Sequence, residues 1–427
     1  MSDTRREFLR LSGGALGGLF VGSSVTAAER TDRFVVTGEQ VPGDLEVVHE
    51  MPGVSVSVVR GTESAVSASK DVKQYAPDVE ISIDEPTAEP TAAPAAAELE
   101  EPLAALQWDK QVQNLGAVHE RTRGEGSRTA ILDTGIDENH PDFGNLNEDL
   151  SRNFAADDGD HSPPGTRYHG THVGGIAAAT DDGVGVVGTA PATDLVDLRV
   201  FGPSGGASFG AILAAVTYAA NVGCDVANLS LGAYPFPRKG NGKFYGGVLN
   251  ETMTYANAQG TLLVIAAGND GADLQHDGKV MSIPAEGAQG LAVSATTSVD
   301  FDPFTGTADN PGTQPASYTN YGTNAVTLGA PGGGTPPGGG VSDLVYNAIP
   351  LATAEAFGFP QPYAYLAGTS MAAPQVAGAA ALVAAENPDY DANQVEAALK
   401  QAASVPSDFD KAYYGAGFLD VEAALDG

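Results

Sequence analysis

From Leu103 to the C-terminus, short apolar runs alternate with longer helical patterns, and this alternation constrains the fold more than any other feature. Strands are predicted at Thr129–Leu132, Asp194–Leu198, Val226–Leu229, Leu262–Ala266, Leu291–Ser294 and Ala325–Leu328. Helices are predicted at His169–Ala179, Phe209–Asn221, Asn250–Gln259, Ser370–Ala385 and Ala392–Ala402. Such alternation points to an α/β fold, a mostly parallel central sheet with helices on both faces. Ligands of these sheets bind beyond the carboxyl ends of the strands, so the functional residues are expected there. Gly/Pro-rich loops interrupt the pattern at Ala233–Gly247, Thr297–Pro315 and Pro331–Pro362. The last is long for a loop inside a compact domain and is expected to be functional or mobile.

The chain before Leu103 reads differently. Arg5-Arg6 precedes Phe8-Leu9, a small-residue apolar stretch over Leu11–Ala27, and Val25-Thr26-Ala27-Ala28. This order resembles a twin-arginine export signal over residues 1–28. Residues 31–85 contain alternating stretches at Arg33–Val36, Val54–Val59 and Val79–Ile83, with a helix expected in Thr62–Tyr75. A module this small is marginal alone and is expected to lean on a partner surface. Residues 86–102 are rich in Pro, Ala and Glu with no apolar period, as in an extended, protease-accessible linker.

Charge excludes several function classes. The 427 residues carry 54 acidic and 21 basic side chains, a formal net charge of −33. A nucleic-acid binder needs a basic face, and an anionic membrane would repel this chain. No apolar run reaches about 20 residues, so no membrane span is expected in the mature body. The single cysteine, Cys224, rules out an internal disulfide framework and reads as a small buried filler. Residues 103–427 alone hold 36 acidic and 13 basic groups. So acidic a surface repels itself at low salt, and the expectation is a protein adapted to molar salt.

Three segments carry chemistry. In Thr129–Asp137 an apolar strand ends in Asp133, where a carboxylate can orient an imidazole; alone, a strand-end aspartate is more often a turn former. In His169-Gly170-Thr171-His172-Val173-Gly174-Gly175, a histidine opens a helix whose small residues allow close packing. His169 can act as a general base if one ring nitrogen meets a nucleophile and the other a carboxylate. Zinc binding by His169 and His172 is the alternative, with no Cys or Glu ligand in the pattern to support it. In Gly368-Thr369-Ser370-Met371-Ala372-Ala373-Pro374, Ser370 opens a small-residue helix whose free N–H groups favour an adjacent oxyanion. Alone, Ser370 would read as a helix cap.

Together, Asp133, His169 and Ser370 and the motifs around them resemble the subtilisin-like serine proteases (subtilases, peptidase family S8), particularly the secreted halolysin type, over about Gln107–Gly427. The resemblance implies a secreted serine endopeptidase working through an acyl-enzyme. Asp133, His169 and Ser370 would be its catalytic triad and Asn269 its oxyanion donor. It implies that Gly205-Gly206-Ala207 pair with an extended substrate, and that Ser230-Leu231-Gly232 and Ala266-Ala267-Gly268 wall the primary specificity pocket. Small apolar walls would leave a roomy pocket for large apolar side chains. It also implies a structural calcium on Asp142 and Asp182, the carbonyls of Thr180, Val184 and Val186, and Gln107.

On the same resemblance, residues 29–85 are an inhibitor-type α+β propeptide, 86–102 hold its processing site, and 103–427 are the catalytic domain. The implied partners are protein or peptide substrates and the chain's own propeptide, with no nucleic acid and no integral membrane segment. A monomer is expected, exported by the twin-arginine route. Gly174 and Gln375 depart from the family's usual alanine and histidine. Two rival readings are a binding protein on an inactive protease scaffold and a peptide-joining acyl transferase.

Overall fold

The computed structural model describes residues 23–24, 32–83, 103–157 and 159–426. The signal-like segment, apart from Ser23-Ser24, and the linker 86–102 lie outside the described residues.

The N-terminal module is a four-stranded antiparallel sheet of β1 (Arg33–Thr37), β2 (Glu46–Glu50), β3 (Val56–Arg60) and β4 (Gln74–Pro77), in the order β2–β3–β1–β4. Helix α1 (Glu63–Ala68) is capped by Thr62 and is shorter than the pattern predicts. Beyond Val66 only Ala68 is apolar before Val72, so a second turn would have no face to bury. Strand β2 is largely exposed and its pattern does not alternate, so it goes unpredicted. One face of the sheet packs Phe34, Val36 and Val59 on Val66. The other face, with Val35, Val58 and Ala76, shares a core with Phe209 and Ala211 of the larger domain. The module therefore leans on a partner surface, as its size requires.

The larger domain is built on β6 (Arg128–Asp133), β7 (Arg152–Asn153), β8 (Asp194–Arg199), β10 (Val226–Leu229), β11 (Leu262–Ala266), β12 (Gly290–Val299), β13 (Asn310–Pro315) and β14 (Leu328–Pro331). Their order is β13–β12–β11–β10–β6–β8–β7, with β14 also on β12. Every pairing is parallel except β12 with β13. Helices α2 (His169–Ala178) and α5 (Thr369–Glu386) cover one face, and α3 (Phe209–Asn221) and α4 (Gly242–Ala258) the other. Helix α6 (Ala392–Ala402) packs beside α5. Successive residues of β6 serve the two cores in turn: Ile131 lies with Ile176 and Met371, whereas Ala130 and Leu132 lie with Ile212 and Val248. Apart from the main sheet, β5 (Glu80–Ile83) and β9 (Gly206–Ser208) pair with each other, and Ser23-Ser24 pairs with the other edge of β5.

Three expectations are corrected. The strand predicted at Ala325–Leu328 lies instead at Leu328–Pro331, because the chain turns at Gly322 and Ala325 donates back to the Gly322 carbonyl. Helix α4 begins at Gly242 rather than Asn250, since Gly246 and Gly247 hide its apolar period. The segment Pro331–Pro362 is not structureless: it contains a strand, Val345–Ala348, paired with Tyr363–Leu366, and a helix, Leu351–Phe357. The buried Asp343 carboxylate organises its start, accepting from Ser298 Oγ (2.6 Å), Phe301 N (3.0 Å) and Gly340 N (2.7 Å).

Candidate active site

The carboxyl end of β6 delivers Asp133 to the start of α2. Both Asp133 and His169 are fully buried, and His169 Nδ1 donates to Asp133 Oδ1 at 2.7 Å. The same oxygen accepts from Thr134 N (2.7 Å), and Thr134 Oγ1 accepts from Gly170 N (2.8 Å). The turn and the helix start are thus locked to one another. Gly170 has to be glycine, since a Cβ there would lie 2.5 Å from the Gly135 carbonyl oxygen.

Ser370 stands in the first turn of α5, which packs against α2. Its carbonyl accepts from Ser230 Oγ (2.8 Å), which in turn accepts from Asn228 Nδ2 (2.9 Å). Its hydroxyl lies 3.3 Å from the Ser230 carbonyl oxygen. Asn269 follows β11. Its Oδ1 accepts from both the backbone N–H and the hydroxyl of Thr369, each at 2.9 Å. Fixing the amide oxygen fixes the direction of the Nδ2 donor, and Asn269 lines the same pocket as Ser370.

That pocket includes the expected Ser230, Leu231, Gly232, Ala266 and Gly268. Ala267 does not line it; it is buried, and its N–H is held by the Val293 carbonyl. Sequence reasoning missed Tyr234 and Ser282, which also line the pocket. Its walls are therefore not uniformly small and apolar.

Gly206 and Ala207 form the edge strand β9, and Gly205 makes the turn before it, at φ +82°. Strand β5 of the N-terminal module lies antiparallel on this edge, with Gly206 opposite Ser82 and Ala207 opposite Ile81. Further contacts seat the module. Asp78 Oδ1 accepts from Gly210 N at the start of α3 (2.9 Å), and buried Arg33 lies 3.1 Å from both Asp78 Oδ2 and Ser208 Oγ.

The metal-ligand candidates gather in one place, except Gln107. Asp142 is fully buried, accepting from Val186 N and Tyr363 Oη, each at 3.2 Å. Burial pushes its carboxyl up to about 7. Asp182 accepts from Val184 N (3.1 Å), and among the described residues no hydrogen bond ends on the carbonyls of Thr180, Val184 or Val186. Two carboxylates and three open carbonyls fit a hard cation. Gln107 is engaged differently: its amide clasps Val187, donating to O and accepting from N, both at 3.0 Å.

His172 is not placed as a metal ligand. Nε2 donates to the Ala364 carbonyl (3.2 Å), and burial pushes the ring down to about 3. Among the described residues no cluster of three or more His, Cys, Asp or Glu is arranged to hold a metal. Gln375 has a structural task, donating to Asp109 Oδ2 and accepting from buried Lys110 Nζ, both at 2.7 Å. Cys224 is buried, and its thiol is raised to about 12 by that burial, consistent with an inert filler.

Sequence reasoning also missed Asp197 and His161. Asp197 is a fully buried carboxylate on β8, accepting from Ile136 N (2.8 Å) and from His161 Nδ1 (3.1 Å). Its signal was available: a second aspartate inside Asp194-Leu195-Val196-Asp197-Leu198, a strand expected to be buried on both faces.

Comparison with known proteins agrees with this architecture. Residues 124–417 match the subtilase family model. An alkaline protease of Shouchella clausii is 32% identical over 405 residues, covering 95% of this chain and 88% of the relative. Subtilisin Savinase of Lederbergia lenta is 35% identical over 321 residues, covering 75% of this chain and 98% of the relative. The crystal structure of an epidermin leader peptide processing serine protease from Staphylococcus aureus superposes with a TM-score of 0.72 at 23% identity, covering 92% of this chain and 97% of that one. With the subtilisin-like sheet, the matched domain and these relatives in hand, the chain belongs to the subtilase family of serine endopeptidases.

Proposed function

We propose that the chain is a serine endopeptidase made as a self-processed zymogen, with Asp133, His169 and Ser370 as its triad. The observation that carries this is the buried 2.7 Å hydrogen bond from His169 to Asp133, at the start of a helix packed on the one that bears Ser370. Asp133 holds the imidazole in the tautomer with its proton on Nδ1, leaving Nε2 to accept. Ser370 Oγ attacks the scissile carbonyl and gives its proton to His169, and the Asn269 amide donates to the oxyanion. His169 passes the proton to the departing amine, leaving an acyl-enzyme. It then takes a proton from water, whose hydroxide oxygen attacks the ester carbonyl; the intermediate collapses to the free acid and Ser370 is reprotonated.

Substrates are extended peptides that add a strand to Gly205-Gly206-Ala207. Residues 29–85 act as the inhibitory propeptide and 103–427 as the catalytic domain. Support comes from β5 occupying that same edge, which would block a substrate strand. The processing site lies in the linker 86–102. A structural calcium held by Asp142, Asp182 and the carbonyls of Thr180, Val184 and Val186 would stiffen that loop, with Gln107 bracing it through Val187. Export by the twin-arginine signal, a secreted monomer and adaptation to high salt complete the proposal. Among the described residues no helix is long and apolar enough to cross a membrane.

The test is intact mass after expression in molar salt with calcium, for wild type beside Ser370→Ala. A wild type shortened at the linker and a full-length variant are expected. Equal processing of both would overturn the self-processing zymogen.

A further inference from the structure

Behind Asp133 lies a second acid–imidazole pair that the triad does not use. In the register of β6 with β8, Ile131 faces Asp197 and Asp133 faces Arg199. Asp133 and Asp197 are therefore diagonal neighbours on one face of the sheet, where side chains of neighbouring strands interact. Both carboxylates are fully buried, and among the described residues one oxygen of each, Asp133 Oδ2 and Asp197 Oδ1, has no hydrogen-bond partner. Two buried, adjacent negative charges are costly unless a cation compensates one of them.

His161 is placed to do so. Its Nδ1 meets Asp197 Oδ2 at 3.1 Å and its Nε2 lies 3.6 Å from Glu138 Oε2, with the ring 11% exposed at the domain surface. The His161 loop is clamped to β8 a second time, two residues on. Arg199 makes a two-pronged pair with Asp157 (2.6 and 3.0 Å) and donates to the Asp160 carbonyl (2.8 Å). The loop closes directly on the turn after Asp133: Gly135 takes φ +106°, and a Cβ there would lie 2.5 Å from the His161 carbonyl oxygen.

We propose that Asp197 and His161 are positioning residues that set the charge behind Asp133, and thereby the pH at which His169 becomes a competent base. The inference rests on the triad assigned above. The charged groups facing the pair are Asp133 from β6, Glu138 from the turn after it, Asp160 from the His161 loop, and Arg199 with Asp157. The pair also bears the marks of mutual dependence: His161 is raised, chiefly by its bond to Asp197, whereas burial raises Asp197 to about 6.

The signs follow. With both groups charged, or both neutral, the pair adds no net charge behind Asp133. Once His161 loses its proton while Asp197 stays ionised, one negative charge remains and favours the His169 imidazolium. Asp197→Asn keeps an acceptor for Ile136 N but removes that negative charge. The inference requires His161 neutral and Asp197 ionised across the acid limb, so the variant moves that limb to lower pH, by about one unit for a unit charge roughly 10 Å away at an effective dielectric near 20. His161→Gln leaves Asp197 without its cation and moves the limb to higher pH or not at all.

The experiment is the second-order rate of labelling by a fluorophosphonate across pH, on the mature enzyme in molar salt. Wild type, Asp197→Asn and His161→Gln are compared, each checked for folding by thermal melting. A downward limb shift in Asp197→Asn and none downward in His161→Gln are expected. An unmoved limb in Asp197→Asn, whatever its rate, overturns the inference while leaving the triad standing. A wild type that is labelled at no pH overturns the triad and the inference with it. If Asp197→Asn does not fold, a downward shift in His161→Gln is by itself sufficient to refute the account.

Discussion

Replacing Asp78 by alanine tests how the N-terminal module is held on the active-site edge. Asp78 does two things at once: it caps the start of α3 through Gly210 N at 2.9 Å, and it neutralises buried Arg33 at 3.1 Å. Losing a helix cap costs about 1 kcal/mol. Leaving a buried cation without its partner costs about 3–5 kcal/mol. Arg33 reaches the same helix start through Ser208 Oγ, so most of that penalty falls on the docked state. A loss of about 3–5 kcal/mol corresponds to roughly 10²–10³-fold weaker docking or more. The assay uses full-length Ser370→Ala, nicked in the linker by a second protease, with dissociation of the module followed by size exclusion and calorimetry. Arg33→Met with Asp78→Leu removes both charges and should regain much of the loss, because a buried pair is replaced by apolar contact. Docking weakened less than 10-fold in Asp78→Ala would show that the Asp78 contacts do not hold the module on this edge.

Further predictions bear on other parts of the molecule. Asn269→Ala should lower turnover by about 10²–10³ with a small change in KM, the usual effect of losing an oxyanion donor; a pure KM effect would assign Asn269 to binding instead. His172, pushed down to about 3, must stay neutral when folded, so stability falls as pH drops from about 6.5 toward 3 while only the unfolded chain takes up the proton. His172→Gln should be less stable at neutral pH but flatter across that window in urea melts; parallel curves for the two proteins would contradict this. Chelation with EDTA should lower the Tm of wild type but leave Asp142→Asn, already low, nearly unmoved; equal losses in both would exclude a calcium held by Asp142. Dialysis from molar salt to 50 mM should reduce activity through self-repulsion of a catalytic domain with 36 acidic and 13 basic groups, and full activity there would remove the salt-adaptation proposal.

Much of the candidate site was legible because its residues sit where local pattern and chemistry coincide. Asp133 ends an apolar strand, and His169 and Ser370 open small-residue helices, so their positions follow from local periodicity. The limits were equally physical. Strand β13 and the elements inside Pro331–Pro362 are held by long-range pairing and by Asp343, which no short window of sequence contains. The shortfall of α1 and the early start of α4 reflect turns with no apolar face or with glycines that hide one. Tyr234 and Ser282 reach the pocket from two segments that meet only through antiparallel pairing of Ala233–Pro237 with Val280–Ile283. Gln107 was named as a ligand from the family resemblance, and the fold places it beside that loop with its amide on the Val187 backbone. Asp197 was visible as a charge in a buried strand, but its partner His161 comes from a loop 36 residues away in sequence.

Fluorophosphonate labelling of the mature enzyme, with the adduct located by peptide mass, tests whether Ser370 is a nucleophile activated by His169. One phosphonyl group on Ser370 is expected, formed at a rate that falls by orders of magnitude in His169→Ala. An adduct on another residue, or an undiminished rate without His169, would contradict it.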